Sequence, residues 1–344
     1  MQEILTLCVR AIRPEAPEVA TYFLESTDGQ AVSYRAGQFL TLLFDFQGHE
    51  VRRSYSLSSA PGVDAELAIT VKRIVNGEVS RYLFDHLHVG DTLRALPPSG
   101  RFVLDEETTG DLLLIAAGSG ITPLFSILKS VLATQPSRPV ILIYASRDDR
   151  NTIFLNEINA LADRHPARLT VLYQRSAEGQ RLNNQRLERL VLNHLRGPRA
   201  KQERLATRGY LCGPEEFMRM ARITLLFMGF HADQIRREQF VIEAPPAPPV
   251  PTLSTPSRVT LLFREKTHIL DVPAGEYLLT AALAAGIPLP YSCRGGRCSA
   301  CAARCTAGRV AMRINDVLTA RDLAEGWVLT CTGYAESEAV TLEV

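Results

Sequence analysis

Cys293-Arg-Gly-Gly-Arg-Cys298-Ser-Ala-Cys301 sets three cysteines at Cys-x4-Cys-x2-Cys spacing, and Cys331 follows thirty residues after the last of them. No other feature limits the fold so sharply. The spacing is the ligand pattern of a plant-type two-iron, two-sulfur cluster, in which one tight loop presents three thiolates and a remote residue the fourth. Gly295 and Gly296 suit such a loop, because bare backbone turns sharply and aims N–H groups at sulfur. Structural zinc sites are built from two short Cys pairs, so the x4 gap and the solitary Cys331 argue against zinc. No Cys-x-His pair occurs, which excludes a Rieske cluster. A chain with this loop handles electrons one at a time.

The remaining bulk properties bound the setting. The 344 residues suffice for two or three domains, and a formal net charge of +1 gives no footprint for nucleic acid or a polybasic membrane contact. The opening Met1-Gln-Glu-Ile-Leu-Thr alternates like a strand, and no apolar run reaches the length of a membrane span, so neither signal peptide nor anchor is expected. Seven cysteines, four of them committed as ligands, predict a reducing, cytoplasmic location. Cys8 and Cys305 are read as free thiols. Arg294 and Arg297 flank the ligands and are read either as charges on an exposed rim that meets the electron acceptor or as solvated loop charges.

Residues 1 to about 104 read as short strands between turns: Ile4–Val9, Phe39–Phe44, Val51–Leu57, Leu67–Val71 and Thr92–Leu96. Such spacing predicts an antiparallel barrel or sandwich. Within Arg53-Ser54-Tyr55-Ser56, alternation sets Arg53 and Tyr55 on one face, a cation beside an aromatic ring. Gly77-Glu-Val79-Ser80 then opens a helix that ends before Gly90, with Ser80 as the expected N-cap. A helix N-terminus rising from a glycine turn suits a phosphate.

From about residue 110 strands and helices alternate. Asp111–Ala117 is a continuous apolar run, as a parallel strand buried on both faces requires. Gly118-Ser119-Gly120-Ile-Thr122-Pro123 follows at once, then an amphipathic helix from Leu124 to about Leu132. A glycine turn between strand and helix lets a pyrophosphate approach backbone and helix dipole. Val140–Ala145, Leu169–Tyr173 and Gly209–Cys212 complete a doubly wound sheet, which binds ligands at the carboxyl ends of its strands. Ser146-Arg147, Arg175 and Cys212-Gly213-Pro214 fall at those ends. Hydroxyl and guanidinium groups there lean toward the 2′-phosphate of NADPH, while Asp148 and Asp149 keep NADH open. Glu243–Ser257 is a proline-rich spacer. Beyond it, Val259–Phe263 and Thr267–Val272 read as a hairpin and Tyr277–Ala285 as a helix closed by Gly286.

In this order the motifs resemble the ferredoxin–NADP reductase superfamily joined to a C-terminal plant-type ferredoxin domain, as in oxygenase reductases, those of phenylacetyl-CoA epoxidases among them. The likeness spans essentially the whole chain. It implies an antiparallel β-barrel for FAD at 1–104 and a doubly wound α/β parallel sheet for NAD(P) at 105–242. A linker at 243–257 then leads to an α+β, β-grasp ferredoxin domain at 258–344. By the same likeness Arg53 meets the flavin's phosphate, Tyr55 stacks on its ring system and Ser56 approaches its reactive N5. Ser54, Val71 and Lys72 are counted with them. Gly77, Val79 and Ser80 match the segment for a second phosphate, implying FAD rather than FMN. Gly118, Ser119, Gly120, Thr122 and Pro123 match the pyridine-nucleotide loop. Cys212, Gly213 and Pro214 match the segment behind the nicotinamide, which makes Ser56 and Cys212 the expected catalytic pair. Phe240 is the candidate aromatic cover for the flavin.

NAD(P)H gives two electrons as a hydride and the cluster takes one at a time, so a flavin must stand between them. The cofactors implied are FAD, the 2Fe-2S cluster and NADPH, with NADH possible. The partner implied is an oxygenase component or another electron-accepting protein. An electron-transfer component serving a non-oxygenase redox enzyme is the alternative; the long Cys301-to-Cys331 gap and a separate domain after a linker favour the oxygenase reading.

Overall fold

The computed structural model describes residues 4–46, 48–104, 110–195, 206–240 and 256–344. The chain divides into two compact units, Ile4–Gln239 and Phe240–Val344.

The first unit opens with Leu5–Ala16 (β1), Val19–Ser26 (β2), Phe39–Phe46 (β3), His49–Ser56 (β4), Leu67–Lys72 (β5) and Thr92–Ser99 (β6). These pair antiparallel in the order β4-β3-β6-β1-β2-β5. Leu57, just beyond β4, bridges antiparallel to Ile69 of β5 and closes the sheet into a barrel. Closure removes the unpaired edges that an open sheet exposes. The barrel is filled by Leu7, Val9, Tyr22, Leu40, Leu42 and Ile69, all buried. Strand β2 is not evident in the sequence because it is buried nearly throughout, so it lacks an apolar–polar alternation. The second half of β1 is hidden for another reason: bulges between Val9 and Ala11 and between Pro14 and Ala16 break its period.

The same unit continues into a parallel sheet of Leu112–Ala117 (β7), Val140–Ser146 (β8), Leu169–Arg175 (β9), Arg208–Cys212 (β10) and Ile235–Glu238 (β11), ordered β11-β10-β7-β8-β9. Every residue of β7 is buried, as its unbroken apolar run demands. Leu112, Leu114 and Ala116 face the helices Ile121–Thr134 and Leu155–Arg164. Leu113 and Ile115 face Asn184–His194 and Glu215–Phe227. The first helix starts at Ile121, three residues before the expected Leu124, after a 3-10 turn at Gly118–Gly120. Pro123 is accepted there because the N–H groups of a first turn have no helical partner. Barrel and parallel sheet are tied by the Ser126 hydroxyl donating to the Ser59 carbonyl at 2.5 Å and by an Arg13–Glu157 ion pair at 2.8 Å.

The second unit carries Ser257–Phe263 (β12), Lys266–Val272 (β13), Ala302–Ala307 (β14), Val310–Met312 (β15), Trp327–Leu329 (β16), Gly333–Ala335 (β17) and Ala339–Glu343 (β18). Five form a mixed sheet, β13-β12-β18-β14-β16, and β15 pairs with β17. Helix Leu278–Ala284 follows Tyr277 as its cap, and Leu278, Leu279 and Ala282 pack against Val259, Leu261 and Leu342. One helix held across a mixed sheet is the α+β, β-grasp ferredoxin arrangement expected. The spacer at 243–257 lies outside the described residues as far as 255.

Candidate functional site

The cluster loop runs between the helix and β14, and its backbone is sharply bent. Arg294, Gly296 and Ser299 all have positive φ. At Gly296 glycine is required on two grounds: φ is 74°, and a Cβ would stand 2.5 Å from the Ile314 carbonyl oxygen. The loop N–H groups point at sulfur, with Gly295 N–H on Cys293 Sγ at 3.3 Å and Cys293 N–H on Cys298 Sγ at 3.4 Å. The four expected ligands stand two by two, Cys293 beside Cys298 and Cys301 beside Cys331. Bonding from Cys298 and from backbone N–H groups draws the Cys293 thiol below its ordinary value despite burial. Two pairs suit a binuclear cluster, in which each iron would take two thiolates.

The loop departs from expectation at Arg297. It is not an exposed rim charge: its side chain is 12% exposed and pairs with Asp316 at 3.1 Å, bracing the loop. Arg294 is exposed, with its guanidinium 4.3 Å from the centroid of the Tyr291 ring. The Cys305 thiol donates to the Ala307 carbonyl at 3.4 Å.

In the first unit, Arg53 and Tyr55 share one face of β4, opposite Leu42 and Leu40 of β3. Ser54 takes the other face, its hydroxyl 3.0 Å from that of Thr41. Val71 is buried in the barrel and Lys72 is exposed at the end of β5. Strand β5 lies against the Gly118–Gly120 turn, so the flavin motif and the nucleotide loop are neighbours. The helix Glu78–His86 has Gly77, not Ser80, at its N-cap. Ser80 sits inside the first turn, where its hydroxyl accepts from Ile74 N–H at 3.1 Å and donates to the Gly77 carbonyl at 3.2 Å. Val79 and Ser80 are buried. A cationic strand beside an aromatic ring, with a helix N-terminus nearby in the same domain, has the donor set a dinucleotide flavin needs.

Where barrel and parallel sheet meet, Ser56 donates to a carboxylate oxygen of Glu238 at 3.0 Å. Glu238 ends β11 in register with Cys212 at the end of β10. All three are buried. Burial pushes the Glu238 carboxyl up to about 8, the Ser56 hydrogen bond opposing it only in part. Burial, then the nearby Glu238, raises the Cys212 thiol well above its ordinary value. Burial therefore favours the neutral form of both groups. Glu238 is not evident in the sequence; Phe240, the candidate aromatic cover, lies two residues beyond it and is 43% exposed. The available signal is slight: a glutamate closing a fifth parallel strand, at the edge where ligands bind.

The nucleotide loop approaches the same place. A Cβ on Gly120 would lie 2.2 Å from the Cys212 carbonyl oxygen, so only glycine lets these two turns touch. Thr122 donates to the Ser119 carbonyl at 2.9 Å, and Tyr144 donates to the Gly118 carbonyl at 3.2 Å. Gly213 follows Cys212, and Pro214 caps the helix Glu215–Phe227. At the other end of the sheet Ser146 and Arg175 are register partners on β8 and β9. The Ser146 hydroxyl is 2.7 Å from that of Thr152. Arg147 projects into solvent, whereas Arg175 is ion-paired with Asp149. Arg175 is thus not the free cation expected beside a 2′-phosphate.

Comparison with known proteins follows the same order of parts. Residues 12–104 match the oxidoreductase FAD-binding domain, 114–222 the oxidoreductase NAD-binding domain and 263–336 the 2Fe-2S iron-sulfur cluster binding domain. The chain is 37% identical to the ferredoxin reductase component of 3-ketosteroid-9-alpha-monooxygenase from Mycobacterium tuberculosis (strain CDC 1551 / Oshkosh), over 98% of this chain and 95% of the relative. It is 35% identical to one component of the 1,2-phenylacetyl-CoA epoxidase of Escherichia coli (strain K12), over 91% of this chain and 89% of the relative. Phthalate dioxygenase reductase shares the fold, with a TM-score of 0.62 at 24% identity over 99% of this chain and 98% of that one. The chain therefore belongs to the family of oxygenase reductases that carry FAD-binding, NAD-binding and 2Fe-2S cluster-binding domains in one polypeptide.

Proposed function

We propose that this chain is the reductase component of a multicomponent mono- or dioxygenase, passing electrons from NAD(P)H through FAD and the 2Fe-2S cluster to an oxygenase partner. The observation that carries the reading is the Ser56–Glu238 contact at 3.0 Å, which sets a barrel residue of the flavin motif against the carboxyl edge of the nucleotide sheet. Bound FAD takes up a hydride and gives electrons out singly, as a one-electron cluster requires. Arg53 and the helix N-terminus at Gly77–Ser80 hold its phosphates, and Tyr55 covers its ring. Gly118–Gly120 and Thr122 hold the pyridine nucleotide, while Cys212 and Gly213 back its nicotinamide. Ser56 and neutral Glu238 line the transfer site without adding charge. Cys293, Cys298, Cys301 and Cys331 ligate the cluster.

We place the FAD barrel at 1–104, the nucleotide domain at 105–242, the linker at 243–257 and the ferredoxin domain at 258–344; the three matched segments fall inside these limits and support them. An aromatic or CoA-thioester substrate for the oxygenase is supported by the relative named for phenylacetyl-CoA epoxidation. A cytoplasmic location is supported by four cysteines committed as reduced ligands; among the described residues no helix is long and apolar enough to cross a membrane. With either nucleotide as donor, the purified holoprotein is expected to reduce both ferricyanide and cytochrome c. A flavin- and cluster-loaded protein inert toward both acceptors contradicts the reading.

A further inference from the structure

We propose that Asp149 sets the nucleotide preference by occupying the guanidinium of Arg175, so that the adenosine end of the site favours NADH over NADPH; this rests on the nucleotide-binding reading above. The ends of β8 and β9 lie side by side, Ser146 opposite Arg175, one and two strands away from the glycine loop on β7. Two of the cations there, Arg147 and Arg175, differ in order. Arg147 has 79% of its side chain exposed and only a distant acid, Asp148, at 4.0 Å. Arg175 is 18% exposed, and its guanidinium lies 4.7 Å from the centroid of the Tyr173 ring. The Tyr173 hydroxyl is itself fixed, donating to Asn159 at 2.8 Å. A guanidinium braced in this way is a ready fork for a phosphate, since little rotamer freedom remains to be lost.

That fork is already taken. Asp149 pairs directly with it, and Glu178 adds a second carboxylate at 3.8 Å. The two neighbouring aspartates have separate tasks. Asp148 accepts from the Asn151 backbone N–H at 2.9 Å and from its side-chain amide at 2.7 Å, which shapes the turn. That turn presents Asp149, the first residue of the 3-10 segment Asp149–Asn151, to Arg175. A 2′-phosphate would have to displace the Asp149 carboxylate and then remain beside it, losing the bidentate contact and meeting like charge. The 2′-hydroxyl of NADH meets neither obstacle. Asp149 acts as a built-in competitor for one subsite, leaving the phosphate loop untouched.

The test is calorimetric titration of the full-length holoprotein with 2′,5′-ADP and 5′-AMP, the adenosine halves of NADPH and NADH, each also checked for competition against NADH. Wild type is expected to bind 2′,5′-ADP no more tightly than 5′-AMP. Asp149→Asn, which keeps the side chain's size and removes its charge, is expected to tighten 2′,5′-ADP roughly tenfold, the worth of one charge-assisted contact restored. Adding Arg175→Ala to Asp149→Asn is expected to cancel that gain. An unchanged 2′,5′-ADP affinity in Asp149→Asn, or a gain that survives the loss of Arg175, overturns the proposal. Fragments that bind without competing with NADH overturn the placement of the nucleotide site itself.

Discussion

Serine in place of any one of Cys293, Cys298, Cys301 or Cys331 is expected to abolish the cluster's visible absorption and cytochrome c reduction, while FAD and ferricyanide reduction persist. The effect should be near complete for each, because on the proposed ligation each iron depends on two of these thiolates. Serine is smaller and far less acidic than a thiol, so it replaces the shape of the ligand without its soft anionic character. Cys305→Ser serves as the control, since that thiol is engaged with the Ala307 and Gly308 carbonyls on β14 and the turn beyond. Retained flavin in each variant shows that the first unit has folded. A cluster lost in Cys305→Ser and kept in Cys331→Ser would overturn the assignment of the fourth ligand.

The second large effect concerns the transfer site. Ser56→Ala removes the hydrogen bond that Ser56 gives to a buried carboxyl, and among the described residues no other is given to it; leaving such a group unpaired costs about 1–3 kcal/mol. If that cost falls on the transfer step, flavin reduction by NADH slows roughly tenfold to a hundredfold. The pH dependence has a definite sign. Glu238 is raised to about 8, so its neutral form predominates at neutral pH and is lost as pH rises through that value. A buried anion opposes the arrival of a hydride, so the neutral form is the competent one. The rate of flavin reduction should hold steady below about pH 7 and fall as pH rises through about 8. Glu238→Gln copies the neutral acid and should keep the neutral-pH rate while losing the alkaline fall. Rapid-mixing measurements of flavin bleaching across pH check both. An alkaline fall that persists in Glu238→Gln would assign it to another group.

Glu238 also shows where sequence legibility ends. The cluster-binding domain can be read directly because the loop's cysteine spacing is local, and residues 263–336 match the 2Fe-2S cluster binding domain. The strand β7 is legible for a related reason, since burial on both faces leaves an unbroken apolar run. Glu238 closes a strand of four residues that includes Arg236 and Arg237, with no apolar period. Its meaning lies in a contact with Ser56, 182 positions earlier, and only the tertiary structure brings that about. Arg297 misleads in the same way, for its carboxylate partner Asp316 stands 19 positions downstream. Ser80 misleads more locally. Serine favours N-caps, yet Gly77 takes that place and Ser80 closes the turn from within.

An electron path from pyridine nucleotide through flavin to the cluster is followed by mixing oxidised holoprotein anaerobically with NADH and recording flavin and cluster absorption together on the millisecond scale. Flavin absorption is expected to bleach first and the cluster after it, and Cys331→Ser is expected to keep the first phase and lose the second. A cluster that stays oxidised while the flavin is fully reduced, or one that bleaches at the wild-type rate when flavin reduction has been slowed by Ser56→Ala, would contradict that path.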